Sequence, residues 1–271
     1  MAKRILITGG TYGIGAGIAR HLADEGATVV VAARSANADA PAGVTFIQGD
    51  VASAAGARAI ADAALDLLGG IDVVVNNAGG TRVYPAGVAA IEADQWQAAL
   101  DLNFLSAVFV NERLIPAMVA QGSGSIIHVS TAPARAPLGF LLHYAAAKAA
   151  LATYSKGLAL ELAGKGVRVN TVTPGLIRSP GSDRSRQEVA DAAGFDPAAM
   201  VAGIPLGRAG QPADIGEAVA FLVSDRAAYI TGVDLAVDGG LKPGGLSADV
   251  NPRRRIRAGS PAGSARPCCR R

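Results

Sequence analysis

The segment Arg4-Ile-Leu-Ile-Thr-Gly-Gly-Thr-Tyr-Gly-Ile-Gly15 joins a short apolar run to a turn with spaced glycines. The run predicts a strand, and the alanine-rich residues 16–25 after the turn predict a helix. Glycines 9, 13 and 15 permit a tight turn, and the helix N-terminus offers free amides to a phosphate. The spacing is G-x-x-x-G-x-G, not the general G-x-G-x-x-G. In this context the segment predicts dinucleotide binding; a glycine-rich turn kept only for packing is the alternative.

Short apolar strands alternate with alanine-rich helices as far as residue 240. Most strands are unbroken β-branched runs, as expected for strands that are covered on both faces. We therefore predict an α/β protein with one domain over residues 1–242, built on a doubly wound parallel sheet of the Rossmann type. Residues 178–203 are rich in Arg, Asp, Ser and Ala, and they predict a small helical lid. The predicted strands are Arg4–Thr8, Thr28–Ala32, Thr45–Gln48, Val73–Asn76, Ser125–Ser130, Arg168–Thr173 and Asp234–Val237.

The basic charge of the chain is concentrated at its C-terminus. Residues 242–271 carry eight basic side chains against one acidic side chain, whereas the first 241 residues carry 17 against 21. The body is therefore mildly acidic, which argues against a nucleic-acid surface. Residues 243–271 lack apolar periodicity and predict a disordered tail. The tail is interpreted as a solvated appendage, with an anionic partner or an extension without function as alternatives.

Membrane, metal and disulfide classes are disfavoured by the same composition. No apolar run approaches the roughly 20 residues that span a bilayer. The first strand begins within three residues of Met1, which leaves no room for a signal peptide. We expect a cytoplasmic protein. The only cysteines, Cys268 and Cys269, are adjacent in the tail, and the three histidines are scattered, so we predict no metal site.

Tyr144 and Lys148 stand four residues apart in an alanine-rich run. In a helix this spacing places both side chains on one face. A phenol is a poor acid or base at neutral pH, and a nearby cation lowers its pKa. The pair predicts general acid/base chemistry on a carbonyl or an alcohol. Tyr and Lys at this spacing also occur as plain surface neighbours.

Together these motifs resemble the short-chain dehydrogenase/reductase family. The match runs from about residue 3 to residue 241 in the family's order. Besides the glycine turn and Tyr144–Lys148, it comprises Asn76-Asn77-Ala78-Gly79, Pro174-Gly175, Ile230–Gly232 and Val237–Gly240. The resemblance implies an NAD(P)-dependent dehydrogenase or reductase that acts on a CH–OH group and forms a homotetramer or homodimer.

The resemblance also implies how the cofactor is held. Enzymes of this family that use NAD place an Asp after the second strand, where this chain has Ala33 followed by Arg34. Arginine suits a 2′-phosphate, so NADP(H) is predicted, with NAD(H) as the alternative. The implied cofactor-binding residues are Gly9, Thr11, Tyr12, Gly13, Ile14, Gly15, Arg34, Asp50, Val51, Asn77, Ala78, Gly79, Tyr144, Lys148, Pro174, Gly175, Ile177 and Ser179.

The family's four catalytic residues correspond to Asn103, Thr131, Tyr144 and Lys148. The family serine commonly lies thirteen residues before the tyrosine, where this chain has Thr131, with Ser130 as the alternative hydroxyl. In the implied mechanism Tyr144 donates the proton to the forming alkoxide and Thr131 binds the same oxygen. Lys148 lowers the tyrosine pKa and holds the nicotinamide ribose, and Asn103 with a water resupplies the proton.

The substrate is expected to be a small ketone or alcohol with an apolar body. Leu138, Phe140, Leu141 and Leu142 are candidate pocket residues, although they equally suit an interface or the core. Arg82 and Tyr84 are expected to reach the same pocket. Two alternatives remain: a 3-oxoacyl-carrier-protein reductase-like activity, and a regulator that senses the dinucleotide without turnover.

Overall fold

The computed structural model describes residues 2–36, 40–194 and 196–241. The predicted tail at 243–271, with both cysteines, lies outside the described residues. The strands are β1 Arg4–Thr8, β2 Thr28–Ala33, β3 Thr45–Gln48, β4 Val73–Asn76, β5 Gly124–Val129, β6 Val167–Pro174 and β7 Asp234–Val237. The longer helices are α1 Gly13–Asp24, α2 Ala54–Leu68, α3 Ala93–Leu100, α4 Ser106–Gln121, α5 Leu142–Leu162, α6 Pro180–Ala193, α7 Pro197–Ala202 and α8 Pro212–Val223.

The seven strands form one parallel sheet in the order β3-β2-β1-β4-β5-β6-β7. The strand order reverses between β1 and β4, so the loops after these two strands diverge and leave a crevice at their carboxyl ends. The predicted doubly wound parallel sheet is confirmed. The predicted strands differ from the observed ones by one residue at some ends. Strand β5 is shifted as a whole by one residue, since it begins at Gly124 and ends at Val129.

Successive side chains along each strand point to opposite faces of the sheet, and this alternation divides the core into two layers. Ile5 and Ile7 pack with α1 and α8 on one face of the sheet, whereas Leu6 packs with α2, α4 and α5 on the other. All three side chains are fully buried. Burial of such a side chain contributes about 1.5–3 kcal/mol. Because both faces are covered, the strands are continuous apolar runs, as the sequence indicated.

A π-helical segment, Asp101–Leu105, joins α3 and α4 into one continuous helix from Ala93 to Gln121. By length and composition alone, this helix is long and apolar enough to cross a membrane. By these two criteria, the prediction that no segment of the chain is able to span a bilayer does not hold for this helix. The core helix of a soluble protein meets the same criterion. Here Val110, Leu114 and Met118 are fully buried against the sheet, which explains the apolar composition.

Two helices, α6 and α7, form the segment that was predicted as a helical lid. Ser179 begins α6 by accepting a hydrogen bond from the backbone amide of Ser182, and Asp196 caps α7 in the same way through Ala198. The chain thus leaves β6, crosses the crevice and returns to α8.

Candidate active site

The crevice at the carboxyl ends of the strands opens into a cleft of about 850 Å³. All eighteen residues that were predicted to hold the cofactor line this cleft. Tyr144, Lys148 and Thr131 line it as well, whereas Asn103 lies behind the wall and is buried. The fold therefore brings together motifs that are spread from residue 9 to residue 179.

The glycine turn after β1 is built for close approach. Gly9 and Gly13 have φ angles of 66° and 55°, which favour glycine over other residues. A Cβ at Gly15 would collide with the carbonyl oxygen of Gly9 and with the Asn77 side chain. Among the described residues, no side chain caps the start of α1, so its first amides face the cleft. This cradle fits a pyrophosphate.

Asn77 fastens the glycine turn to the end of β4. Its Nδ2 atom donates to the carbonyl oxygens of Thr8 and Gly9 at 3.0 and 3.1 Å. In return the Thr8 hydroxyl accepts from the amides of Asn77 and Ala78, both at 3.1 Å. The Asn-Asn-Ala-Gly motif thus holds the two strands that border the crevice in register.

The end of the cleft that was predicted to hold the adenosine is lined by residues that follow β2 and β3. Ala33 ends β2, and the exposed side chain of Arg34 follows at the cleft margin. The carbonyl oxygen of Arg34 accepts from Gln48 Nε2 at 3.1 Å, and this bond ties the loop to β3. Asp50 accepts from the amide of Ala52 at 3.0 Å and lines the cleft with Val51. The position that would carry an acid in an NAD site therefore carries a methyl group beside a cation.

Helix α5 carries Tyr144 and Lys148 into the cleft one turn apart. The Nζ atom of Lys148 is buried and donates to the carbonyl oxygen of Val129 at 2.8 Å. Burial lowers the pKa of Lys148 to about 8. Burial also raises the pKa of Tyr144 above its ordinary value. The net shift is therefore opposite to the lowering that the sequence led us to expect, because desolvation of the phenol outweighs the effects that lower its pKa.

Thr131 lies beside the tyrosine in the cleft. An interaction with the Thr131 side chain lowers the pKa of Tyr144, against the larger effect of burial. The backbone of Thr131 is extended, whereas the neighbouring Ser130 is held by its amide, which donates to the carbonyl oxygen of Val172 at 2.8 Å. Ser130 also borders the cleft, but among the described residues its hydroxyl does not contribute to the pKa shift of Tyr144.

Asn103 lies in the π-helical segment between α3 and α4. Its Nδ2 atom donates to the carbonyl oxygens of Ala99 and Gly80, and its Oδ1 atom accepts from the Gly80 amide, each at 3.0 Å. A π-helical turn leaves a backbone carbonyl without its usual i+4 donor, and the Asn103 amide supplies one for Ala99. The side chain therefore fixes the loop that follows β4.

The end of the cleft that was predicted to hold the nicotinamide combines Pro174 and Gly175 with the start of α6. A Cβ at Gly175 would meet the backbone of Asp238 at 2.6 Å, so only glycine fits there. Ser179 both caps α6 and packs over the glycine turn, because a Cβ on Gly13 would lie 3.4 Å from that of Ser179. The position of Ser179 is thus compatible both with capping α6 and with the predicted contact to the cofactor.

An apolar patch closes the far side of the cleft. Val83, Leu141, Val189 and Met200 are buried together, and the sequence pointed to only one of them, Leu141. Leu138, Phe140 and Leu176 pack around them. Leu138 and Leu141 line the cleft, whereas Phe140 and Leu142 are not among its lining residues.

Tyr84 was expected to reach the substrate pocket, but in the structure it does not line the cleft. Its hydroxyl donates to Gln95 Oε1 at 2.6 Å, and its ring packs edge-on against His143 with centroids 5.0 Å apart. The ring is buried and does not line the cleft. Arg82 does line the cleft, with its guanidinium 5.6 Å from the centre of the Tyr84 ring.

Residues 9–242 match a family model whose description reads "Enoyl-(Acyl carrier protein) reductase". The chain belongs to the short-chain dehydrogenase/reductase family. It is accordingly an NAD(P)-dependent oxidoreductase.

Relatives within this family carry different substrate names. The chain is 36% identical to a 2,5-dichloro-2,5-cyclohexadiene-1,4-diol dehydrogenase of Sphingobium indicum, covering 89% of this chain and 97% of the relative. It is 35% identical to a 3-oxoacyl-[acyl-carrier-protein] reductase of Staphylococcus aureus, with 89% and 98% covered. Ligand-free aldohexose dehydrogenase of Thermoplasma acidophilum superimposes with a TM-score of 0.79 at 29% identity, covering 89% of this chain and 94% of that one.

Two features of this short-chain dehydrogenase/reductase escaped the sequence reasoning. Val189 and Met200 are apolar residues of the predicted lid, and their burial against Val83 was not anticipated. Val189 follows a hydrophilic stretch, whereas Met200 lies in the apolar run at 198–202. In the described part of the chain, no group of three His, Cys, Asp or Glu side chains is placed to hold a metal ion.

Proposed function

We propose that the enzyme interconverts a ketone and a secondary alcohol, chiefly by NADPH-dependent carbonyl reduction with Tyr144 as the general acid/base. The observation that carries the proposal is that Thr131, Tyr144 and Lys148 line the same cleft as the glycine turn. Two hydroxyl groups held together provide two hydrogen bonds to one substrate oxygen. Negative charge that develops on this oxygen during reduction is then stabilised by donors already in place.

The proton comes from Tyr144. Because burial raises its pKa, the side chain is a neutral phenol at physiological pH and is able to donate. The phenolate left behind is stabilised by the Thr131 hydroxyl and by the charge on Lys148, which persists below pH 8. Asn103 positions the loop beside Lys148, and a water held there would return the proton. The nicotinamide, when bound, supplies or accepts the hydride.

The preference for NADP(H) is also a proposal. Arg34 at the cleft margin offers paired donors to a 2′-phosphate, and Ala33 offers no acid to a ribose hydroxyl. An Arg34→Gln variant should raise the KM for NADPH and leave the KM for NADH nearly unchanged. A tighter wild-type affinity for NADH than for NADPH would contradict the assignment.

The apolar patch supports a substrate with an apolar body, since Leu138 and Leu141 face the cleft near Tyr144. We further propose a homotetramer or homodimer in the cytoplasm. On an isolated chain, Leu160 of α5 is 85% exposed, which favours a subunit contact on this helix.

NADPH oxidation with a panel of ketones tests the main proposal. Tyr144→Phe should retain cofactor binding and lose turnover by about 10²- to 10⁴-fold, the usual contribution of a general acid. Tyr229→Phe is the matched control, because this tyrosine is fully exposed and loses the same hydroxyl. Wild-type rates in Tyr144→Phe would refute the mechanism. No turnover of any ketone by the wild type would favour a dinucleotide-sensing regulator.

A second candidate, reduction of 3-oxoacyl groups on acyl carrier protein, is favoured by the Staphylococcus aureus relative named above. The two activities differ in what the enzyme must bind outside the cleft. An acidic carrier protein should raise kcat/KM strongly over the same acyl group on a small thiol. Equal kcat/KM values for the acyl group on carrier protein and on the small thiol would contradict this second candidate and favour the small-molecule activity.

A further inference from the structure

Arg186 of the lid is only partly used by the protein itself. Its Nη2 atom donates to Asp183 Oδ1 at 2.7 Å, one helical turn back. Its Nη1 atom is buried and has no hydrogen-bond partner among the described residues. A desolvated donor without a partner is costly, and a guanidinium nitrogen more so than a neutral one. The arrangement is therefore expected to gain a partner in the working enzyme.

The place of Arg186 in the fold indicates where that partner lies. Arg186 lines the cleft, and its side chain is 18% exposed. Val189, three residues later on the same helix face, is buried in the apolar patch with Val83 and Leu141. Arg186 is thus about 4.5 Å along the helix axis from the residue that closes the substrate side.

The phosphate side of the cleft is covered by a different face of α6. Gly181, at the start of α6, covers the glycine turn, because a Cβ there would lie 3.4 Å from the ring of Tyr12. Around the helix axis Gly181 lies about 140° from Arg186, whereas Val189 lies about 60° from it. Arg186 therefore shares the helix face of the apolar patch and not the face that covers the cradle for the pyrophosphate.

We propose that Arg186 is a specificity-determining residue that binds an anionic group of the substrate through Nη1, so that the enzyme favours oxo acids or hydroxy acids with an apolar segment. This inference rests on the proposed ketone/alcohol activity. The carbonyl group of such a substrate lies at Tyr144 and Thr131, and its apolar segment lies on the patch. Asp183 does not cancel the site, because it engages Nη2 and orients the planar fork so that Nη1 stays available.

The test compares oxo acids of increasing chain length with their uncharged methyl esters, using NADPH. The wild type should prefer the acid, and Arg186→Gln should lower kcat/KM for the acid by about 10- to 100-fold with little change for the ester. Arg186→Lys should fall between the two, since it keeps the charge and loses the fork. Arg178→Gln is the matched control: it removes an exposed arginine at the start of the lid that does not line the cleft, and it should preserve the preference.

The outcomes separate this inference from the proposed function. Absence of turnover for both acids and esters would refute the ketone activity itself. Esters reduced in a Tyr144-dependent way, with no preference for acids and no effect of Arg186→Gln, would overturn the role of Arg186 alone. A rise in the KM for NADPH in Arg186→Gln would overturn it too, because Nη1 would then serve a cofactor phosphate. Thermal unfolding of each variant verifies that the lid substitution leaves the fold intact.

Discussion

The Nζ atom of Lys148 lies 2.8 Å from the carbonyl oxygen of Val129, the residue at which β5 ends. This bond joins the helix that carries Tyr144 to the strand that leads to Thr131. The lysine is buried, and its pKa is lowered to about 8 because water no longer solvates the ammonium group. One backbone carbonyl thus sets the position of the charge in the cleft, while burial sets the pH at which that charge is lost.

We expect kcat/KM for NADPH to fall as the pH rises through about 8, because this ratio reports groups of the free enzyme and Lys148 loses its charge there. A pH profile between 6 and 10 measures it. Lys148→Met should give a lower and flatter profile in this range. Lys156→Met, which removes an exposed lysine of the same helix, should keep the wild-type shape. An inflection near pH 8 that survives in Lys148→Met would assign it to another group.

The substitution Gly79→Ala tests how closely the loop after β4 must pack against Asn103 and Lys148. A Cβ there would lie 2.9 Å from Asn103 Oδ1 and 3.2 Å from Lys148 Nζ, so Gly79→Ala must displace one of them. We expect kcat to fall by about 10²-fold, the cost of a misplacement near 1 Å. Gly80→Ala is the control, since its Cβ would meet only Leu102 at 3.6 Å. Equal kcat values for the two variants would show that this contact does not position the lysine.

The choice between Thr131 and Ser130 is open to a direct test. Thr131→Val keeps the shape of the side chain and removes the hydroxyl that interacts with Tyr144, so kcat should fall by about 10²- to 10³-fold. Thr131→Ser should restore most of the rate. Ser130→Ala should have a much smaller effect. Steady-state rates of the wild type and the three variants decide between the two hydroxyls. A larger loss of kcat in Ser130→Ala than in Thr131→Val would make Ser130 the active hydroxyl.

Much of this architecture was predictable from local signals. The glycine turn requires positive φ angles at Gly9 and Gly13, and the fully covered strands require continuous apolar runs, so both leave a mark in the sequence. The four-residue spacing of Tyr144 and Lys148 likewise follows from helix geometry.

Other features depend on contacts between distant segments and were not predictable. The π-helical segment at Asn103 arises because the side chain can bond Ala99 and Gly80 at once. The raised pKa of Tyr144 results from burial by several elements. Arg186 is one of several charged residues in the predicted lid, and its place beside the cleft follows only from how Val189 packs.

His128 is another buried group that its sequence context does not explain. It lies on β5 and is fully buried. Its Nε2 atom is 3.0 Å from Asn111 Nδ2, so it acts as the acceptor, and Asn111 Oδ1 accepts from Asn76 at 2.9 Å. The Nδ1 atom has no hydrogen-bond partner among the described residues. Burial, followed by the charge of Lys148, lowers the pKa of His128 to about 3.

This buried imidazole should make the protein sensitive to acid. Between pH 6.5 and about 3 the unfolded chain binds a proton at His128 and the folded chain does not, so stability falls as the pH falls through this range. The slope contributed by one such group is at most about 1.4 kcal/mol per pH unit.

Denaturant unfolding between pH 4.5 and 7 should therefore give a shallower dependence on pH for His128→Asn than for the wild type. A residual slope is expected from His143, whose pKa is also lowered by burial. Identical slopes for His128→Asn and the wild type would mean that His128 is protonated in the folded protein, and that the Asn111 amide is turned to accept from it.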